Sequence, residues 1–167
     1  MKGITVKESA IVTATVMSPQ DVNLSGNVFG GVIMKLIDTV AASVAVKHSR
    51  ANAVTASIDR LDFHTAVFPG DLVTCRASLN YVGRTSMEIG VRVEAENLMT
   101  GEIRHTASSY LTFVALDFAG KPTELPPLIP ETEEEKRRNR DAALRREERL
   151  RQRQAKAKNK KQENKQG

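Results

Sequence analysis

Residues 28–46 constrain this chain more than any other stretch. Across VFGGVIMKLIDTVAASVAV nearly every side chain is apolar or small; only Lys35 and Asp38 carry charge, and only Thr39 and Ser43 carry hydroxyls. A helix lying on a surface shows a polar face at a period of about 3.6 residues, so one that is apolar nearly all round belongs in a core. The sequence therefore predicts one long central helix. It is entered through Gly30 and Gly31, which lack a Cβ and let backbone or ligand come close. It closes at His48-Ser49-Arg50, whose basic side chains suit the negative end of the helix dipole. Asp38 follows Gly30 by eight residues, about two turns along the same face. A carboxylate in apolar surroundings needs a donor or a proton, so Asp38 requires an explanation.

Composition narrows the setting of that helix. A chain of 167 residues is long enough for one domain with a real core. With 40% apolar residues and no Trp, the core must be aliphatic. No uninterrupted run of about 18 apolar residues exists, so no transmembrane segment is expected. The start, MKGITVKES, has no apolar signal region, and the single cysteine, Cys75, excludes an internal disulfide; both fit a cytoplasmic protein. The net charge of +5 is unevenly spread. Residues 131–167 hold 14 basic and 8 acidic side chains, whereas residues 1–130 hold 11 and 12. The basicity lives in the tail and says nothing about a ligand of the domain.

Residues 6–17 form a β-branched run that predicts a strand, and Ser18-Pro19-Gln20-Asp21 ends it. The stretch 21–31, DVNLSGNVFGG, is rich in Asn, Ser and Gly and reads as an ordered loop into the helix. Beyond residue 53 the pattern turns to period two. Val54–Phe63 reads as a strand, although Thr55, Ser57 and Asp59 put polar groups where the alternation should be apolar. Residues 72–81 alternate clearly, with Val73, Cys75, Ala77, Leu79 and Tyr81 on one face, as do residues 85–96, and Arg104–Asp117 gives a last long strand. Short turns join these three long strands, which predicts an antiparallel meander. Pro122, Pro126, Pro127 and Pro130 end the domain. In 133–154 the pairs Glu133–Arg137, Glu134–Arg138, Asp141–Arg145 and Glu147–Arg151 stand at i,i+4 and predict a solvated helix, while residues 156–167 read as disordered. Such a tail buries little, so turnover is expected to survive its removal. The fold class is α+β: about five antiparallel strands wrapped round one long helix, residues 1–130, followed by a charged tail, 131–167. One sheet cannot cover such a helix on every side, and its edge stays open, which argues for an oligomer.

Three places carry candidate chemistry. Asp38 is a carboxylate suited to act as general base or nucleophile, unless it points outward beside Lys35 or bonds Thr39. The loop 21–31 and the helix start present free backbone N–H groups, suited to an anion or a polarised carbonyl, with Asn23 and Asn27 able to position a water. The bland alternative is a turn whose Asn side chains bond only backbone. Gly83-Arg84-Thr85-Ser86 offers a guanidinium and two hydroxyls at a hairpin, suited to phosphate or amide groups. His48, His64 and His105 lack metal-ligand spacing, and one Cys cannot make a zinc cluster, so no metal is implied. The tail mixes acids with its bases and lacks aromatic residues for stacking, which argues against specific nucleic-acid binding.

The run from Asp21 to Gly31 followed by Ile37-Asp38 closely resembles the hotdog-fold acyl-CoA thioesterases. Val67-Phe68-Pro69-Gly70-Asp71, Tyr81-Val82-Gly83-Arg84-Thr85-Ser86-Met87-Glu88, Thr100-Gly101-Glu102 and Phe113-Val114-Ala115-Leu116-Asp117 agree with it. The likeness covers roughly residues 8–128 and not the tail. It implies a helix wrapped by an antiparallel sheet, protomers that join their sheets as dimers, trimers of such dimers, and an active site between protomers. It implies Asp38 as the catalytic carboxylate, Asn23 as a partner contributed from across the dimer, Gly30 and Gly31 as the amides that polarise the thioester carbonyl, and Gly83, Arg84, Thr85 and Ser86 as residues holding the coenzyme A arm. No cofactor follows, because the coenzyme A thioester is the substrate. The other reading of the same resemblance is a domain that binds or senses acyl-CoA without turnover.

Overall fold

The computed structural model describes residues 1–166, with side chains described for residues 1–155. Along the chain run β1 (Ile4–Thr5), α1 (Val6–Ser9), β2 (Ile11–Val16), α2 (Gly30–Ser49), β3 (Asn52–Phe63), β4 (Asp71–Val82), β5 (Ser86–Asn97), β6 (Ile103–Leu116), β7 (Leu128–Ile129) and α3 (Glu133–Gln166). Five strands form one antiparallel sheet in the order β2-β4-β5-β6-β3, so the predicted meander β4-β5-β6 is its middle and β3 an edge.

Period-two alternation explains which face meets the helix. Val73, Cys75, Ala77 and Leu79 of β4 and Met87, Ile89, Val91, Val93 and Ala95 of β5 are buried with α2, while Arg76 and Arg92 sit exposed on the outer face. The alternation does not extend to Tyr81: the register breaks between Leu79 and Tyr81 and sets Tyr81 opposite Glu88. From α2, Ile33, Ile37, Val40, Ala41, Val44 and Ala45 fill the core, each large aliphatic side chain contributing about 1.5–3 kcal/mol. The helix is not enclosed all round, however. Met34, Lys35, Thr39, Ser43 and Val46 form an exposed stripe, because one sheet covers one side.

The N-terminal strand is shorter than its β-branched run predicts. Val6–Ser9 is a helical turn, set by a capping box in which the Thr5 side chain accepts from the Glu8 N–H and Glu8 accepts from the Thr5 N–H. The T-x-x-E signal was in the sequence, and local hydrogen bonding wins over β propensity. β1 pairs in parallel with β7, and His48 ties this corner together. Its Nε2 donates to the Pro126 carbonyl at 2.9 Å, which leaves Nδ1 to accept from the Ser9 hydroxyl at 2.9 Å.

Helix α3 does not stand off in solvent. It lies across the outer face of the sheet, with Ala142 completely buried and Asn139 Nδ2 donating to the Asn80 carbonyl at 2.9 Å. Only one of the four expected pairs forms, Glu134 with Arg138. Arg137 turns to Asp141 at 3.1 Å, and Arg145 leaves Asp141 for Glu88. The physical reason is Glu88, a carboxylate buried on the outer face, whose desolvation demands cations more than any exposed pair does. Arg145 contacts it at 2.6 Å and Arg149 at 3.1 Å, while Arg145 stacks on Tyr110 and Arg146 approaches Tyr81. The expectation of disorder over 156–167 lies outside the residues whose side chains are described. Among the described residues, no helix is long and apolar enough to cross a membrane.

Candidate active site

Asp38 is half-buried on α2, and its partner is neither Lys35 nor Thr39 but Thr55 of β3, whose Oγ1 donates to Asp38 Oδ1 at 2.7 Å. Thr55 pairs with Phe113, a core residue, and so faces the helix. The next ladder pair is Ser57 with Thr112, on the outer face, because the register breaks between Thr55 and Ser57; a second break lies between Ile58 and Arg60. These breaks resolve the irregular polar pattern in Val54–Phe63. Thr55 is the site residue that sequence reasoning missed. The signal was a hydroxyl at a position where alternation calls for an apolar side chain.

The helix start makes a second feature. No side chain caps it, since Phe29 occupies the cap position, so the N–H groups of Gly30 and Gly31 remain for an acceptor at the positive end of the dipole. A Cβ on Gly31 would stand 2.5 Å from the Phe29 ring, so a side chain there displaces that ring. Beside this start lies a cleft of about 320 Å³, with Val28, Ile33, Phe63 and Val67 as apolar wall and Asn23 and His64 at its rim. The arrangement offers donors for a developing negative oxygen next to space for an apolar chain.

Asn23 lines that cleft, but its side-chain oxygen is engaged in its own turn, accepting from the Ser25 N–H at 2.9 Å and the Asn27 N–H at 3.3 Å. Gly26 closes the turn at φ 79°. Within one protomer Asn23 and Asp38 share no hydrogen bond. Gly83-Arg84-Thr85-Ser86 forms the β4–β5 hairpin: the Gly83 N–H donates to the Ser86 carbonyl, and the Arg84 and Thr85 carbonyls accept from the Leu125 and Ala115 N–H groups. Through the ladder Ser86–Val114–Val54 this hairpin stands level with Thr55, two strands away, and it does not line the cleft. The protomer thus joins Asp38 to Thr55, and Asn23 to Gly30, but leaves the hairpin apart.

Other reactive groups fall outside the site. Burial pushes the Cys75 thiol up to about 11, the Thr13 hydroxyl pulling the other way, so it is no nucleophile. The rings of His64 and His105 lie 4.6 Å apart, tilted by 42°. No group of three or more His, Cys, Asp or Glu among the described residues is placed to hold a metal. A larger hollow of about 450 Å³ lies on the outer face between the sheet and α3, lined by Arg76, Arg92, Arg137 and Tyr110; within one protomer Asp38 lines neither it nor the cleft at the helix start.

Comparison with known proteins agrees with this fold. Residues 25–102 match the family model of the Thioesterase superfamily. An uncharacterized acyl-CoA thioester hydrolase of Bacillus subtilis, YkhA, is 45% identical over 129 residues, 77% of this chain and 75% of that protein. A cytosolic acyl coenzyme A thioester hydrolase of Rattus norvegicus is 40% identical over 136 residues, 80% of this chain; the chain spans 36% of that longer protein. Among solved structures, an apo-hexameric acyl-CoA thioesterase superposes with a TM-score of 0.88 at 41% identity, covering 91% of this chain and 97% of that one. An acyl-CoA hydrolase of Staphylococcus aureus in complex with butyryl coenzyme A, coenzyme A and coenzyme A disulfide superposes at 0.83 with 38% identity, covering 93% and 94%. Further structures of that hydrolase carry an asparagine, an aspartate or a threonine replaced by alanine, at positions separated in turn by 15 and 17 residues.

Proposed function

The chain belongs to the acyl-CoA thioester hydrolases of the Thioesterase superfamily, and from that premise we propose that it hydrolyses acyl-CoA to a free fatty acid and coenzyme A. The observation that carries the reading is Asp38, a half-buried carboxylate on the central helix held at 2.7 Å by Thr55. Asn23, Asp38 and Thr55 stand 15 and 17 residues apart, the spacing of the three positions substituted in the staphylococcal hydrolase, which supports their acting together.

Thr55 occupies Asp38 Oδ1 and leaves Oδ2 to accept a proton from water. The water oxygen adds to the thioester carbon, the carbonyl oxygen becomes negative, and the N–H groups of Gly30 and Gly31 stabilise it. When the tetrahedral centre collapses the C–S bond breaks, and coenzyme A leaves as thiolate to take up the proton. Asn23, with its amide NH2 unpaired among the described residues, reaches the site of a partner protomer. Gly83, Arg84, Thr85 and Ser86 hold the coenzyme A arm of a substrate that spans protomers. The assembly is a trimer of hotdog dimers, in line with the apo-hexameric thioesterase above. An apolar rim of Val54, Ile58 and Phe63 on the open edge of β3, with Met34 on α2, marks the surface that pairs.

The test is to incubate purified protein with acyl-CoAs of graded chain length and detect free thiol. Release of thiol by the native protein and none by Asp38→Asn is the expected result; binding without release favours the sensing alternative. Single turnover in heavy-oxygen water should place the label in the fatty acid alone. Label in Asp38 would make that carboxylate the nucleophile instead of the base.

A further inference from the structure

We infer that α3 serves catalysis at one remove: Arg149, through Asp59, holds the irregular edge strand β3 where Thr55 can bond Asp38. The inference rests on the reading of Asp38 and Thr55 just given.

β3 is the outermost strand and pairs within the protomer with β6 alone. Its ladder breaks on both sides of Ser57-Ile58. Each extra residue leaves a ladder position unmade and bends the strand. The interruptions begin directly after Thr55, and side chains on the outer face add restraint where the ladder is broken. On the outer face three donors converge on the Asp59 carboxylate. Ser57 Oγ reaches Oδ1 at 2.9 Å, and Thr112 Oγ1 and Arg149 Nη1 reach Oδ2 at 3.1 and 2.8 Å.

Arg149 Nη1 also donates to Glu88 Oε2 at 3.1 Å, and Glu88 is buried on the inner strand β5 where Arg145 grips it. One guanidinium therefore ties the edge strand to the middle of the sheet. The side chains of Arg149 and Asp59 are 20% and 16% exposed, so their charged groups are partly sheltered from solvent screening although the Asp59 backbone lies at the surface. Thr55 and Asp59, four positions apart, are gripped from opposite faces: Thr55 by the helix inside, Asp59 by the helix outside. Arg149 is a positioning residue, since it touches no reacting atom.

The experiment uses the full chain and measures kcat and KM on an acyl-CoA, with thermal melting and oligomeric state as controls. Arg149→Gln and Asp59→Asn should each lower kcat about tenfold, within the roughly hundredfold that a 1 Å misplacement can cost, while KM stays within about twofold. Arg149→Lys, a point charge without the planar fork, should recover part of the loss. In a Thr55→Val background Arg149→Gln should add nothing further, because both act through one hydrogen bond. A lowered melting temperature with unchanged kcat would make Arg149 a fastening of the helix and nothing more. Full additivity with Thr55→Val would overturn the route through Thr55. An active Asp38→Asn would sink the reading of the site itself; an inactive Asp38→Asn beside a normal Arg149→Gln would sink this inference alone.

Discussion

Two side chains show how the surroundings of a residue decide its chemistry. Asp38 keeps one oxygen engaged by Thr55 and one available, which is the arrangement a base needs. Replacing it with Asn keeps the shape and removes the proton acceptor, so turnover should fall by about 10²–10⁴ with the melting temperature nearly unchanged. Steady-state kinetics beside thermal melting checks this, and near-normal turnover in a folded variant would remove Asp38 from the reaction. Thr55→Val should cost less, because it loosens the carboxylate without deleting it. His48 illustrates the opposite case. Burial holds its pKa below the ordinary value, the Pro126 carbonyl pulling the other way, and so keeps the ring neutral in the fold. Below about pH 6.5 the unfolded chain takes up a proton that the folded chain resists. The stability His48 contributes is therefore complete above that pH and declines as pH falls. The drop in melting temperature between pH 7.5 and 5.5 should be smaller in His48→Asn, and an equal drop would show that other groups set the acid limb.

At the scale of elements, the C-terminal helix departs furthest from expectation. Its positions 139, 142, 145 and 149 recur at three or four residues and form the face that meets the sheet. Glu88 is the anchor of that face. Arg145→Ala should destabilise by about 1–2 kcal/mol, less than the 3–5 of a fully buried pair, because Arg145 is 31% exposed and Arg149 remains. That loss corresponds to a melting temperature lower by roughly 2–8 °C. The double variant Glu88→Gln/Arg145→Met should recover part of it, since no buried charge is then left short of a partner. Calorimetry on the three proteins decides the matter. Should Arg145→Ala melt with the native protein, the helix would be held by packing alone.

For the molecule as a whole, the open edge of β3, the exposed stripe of α2 and the Asn23 NH2, unpaired among the described residues, all point beyond one protomer. If Asn23 serves the Asp38 of a neighbour, Asn23→Ala and Asp38→Ala oligomers should both be inactive. Co-expressed mixtures should regain part of the activity, as some sites then draw an intact residue from each chain. No recovery despite proven subunit mixing would place both residues in one chain.

The reach of local pattern accounts for what was legible. The near-continuous apolar run around Asp38 specified the central helix, and clean period-two alternation specified β4 and β5, because both depend on spacing along one element. Asp38 stood out for the same reason, as a carboxylate where its neighbours are apolar. Thr55, Glu88 and the docking of α3 stayed hidden. Thr55 meets Asp38 only once β3 is laid beside the helix, and Arg145 and Arg149 find Glu88 only after the sheet has brought it beneath α3. In sequence Arg145 has Asp141 and Glu148 one turn away, and spacing alone favours such local pairs. The tertiary structure decided otherwise, because a carboxylate removed from water attracts cations more strongly than one that is solvated.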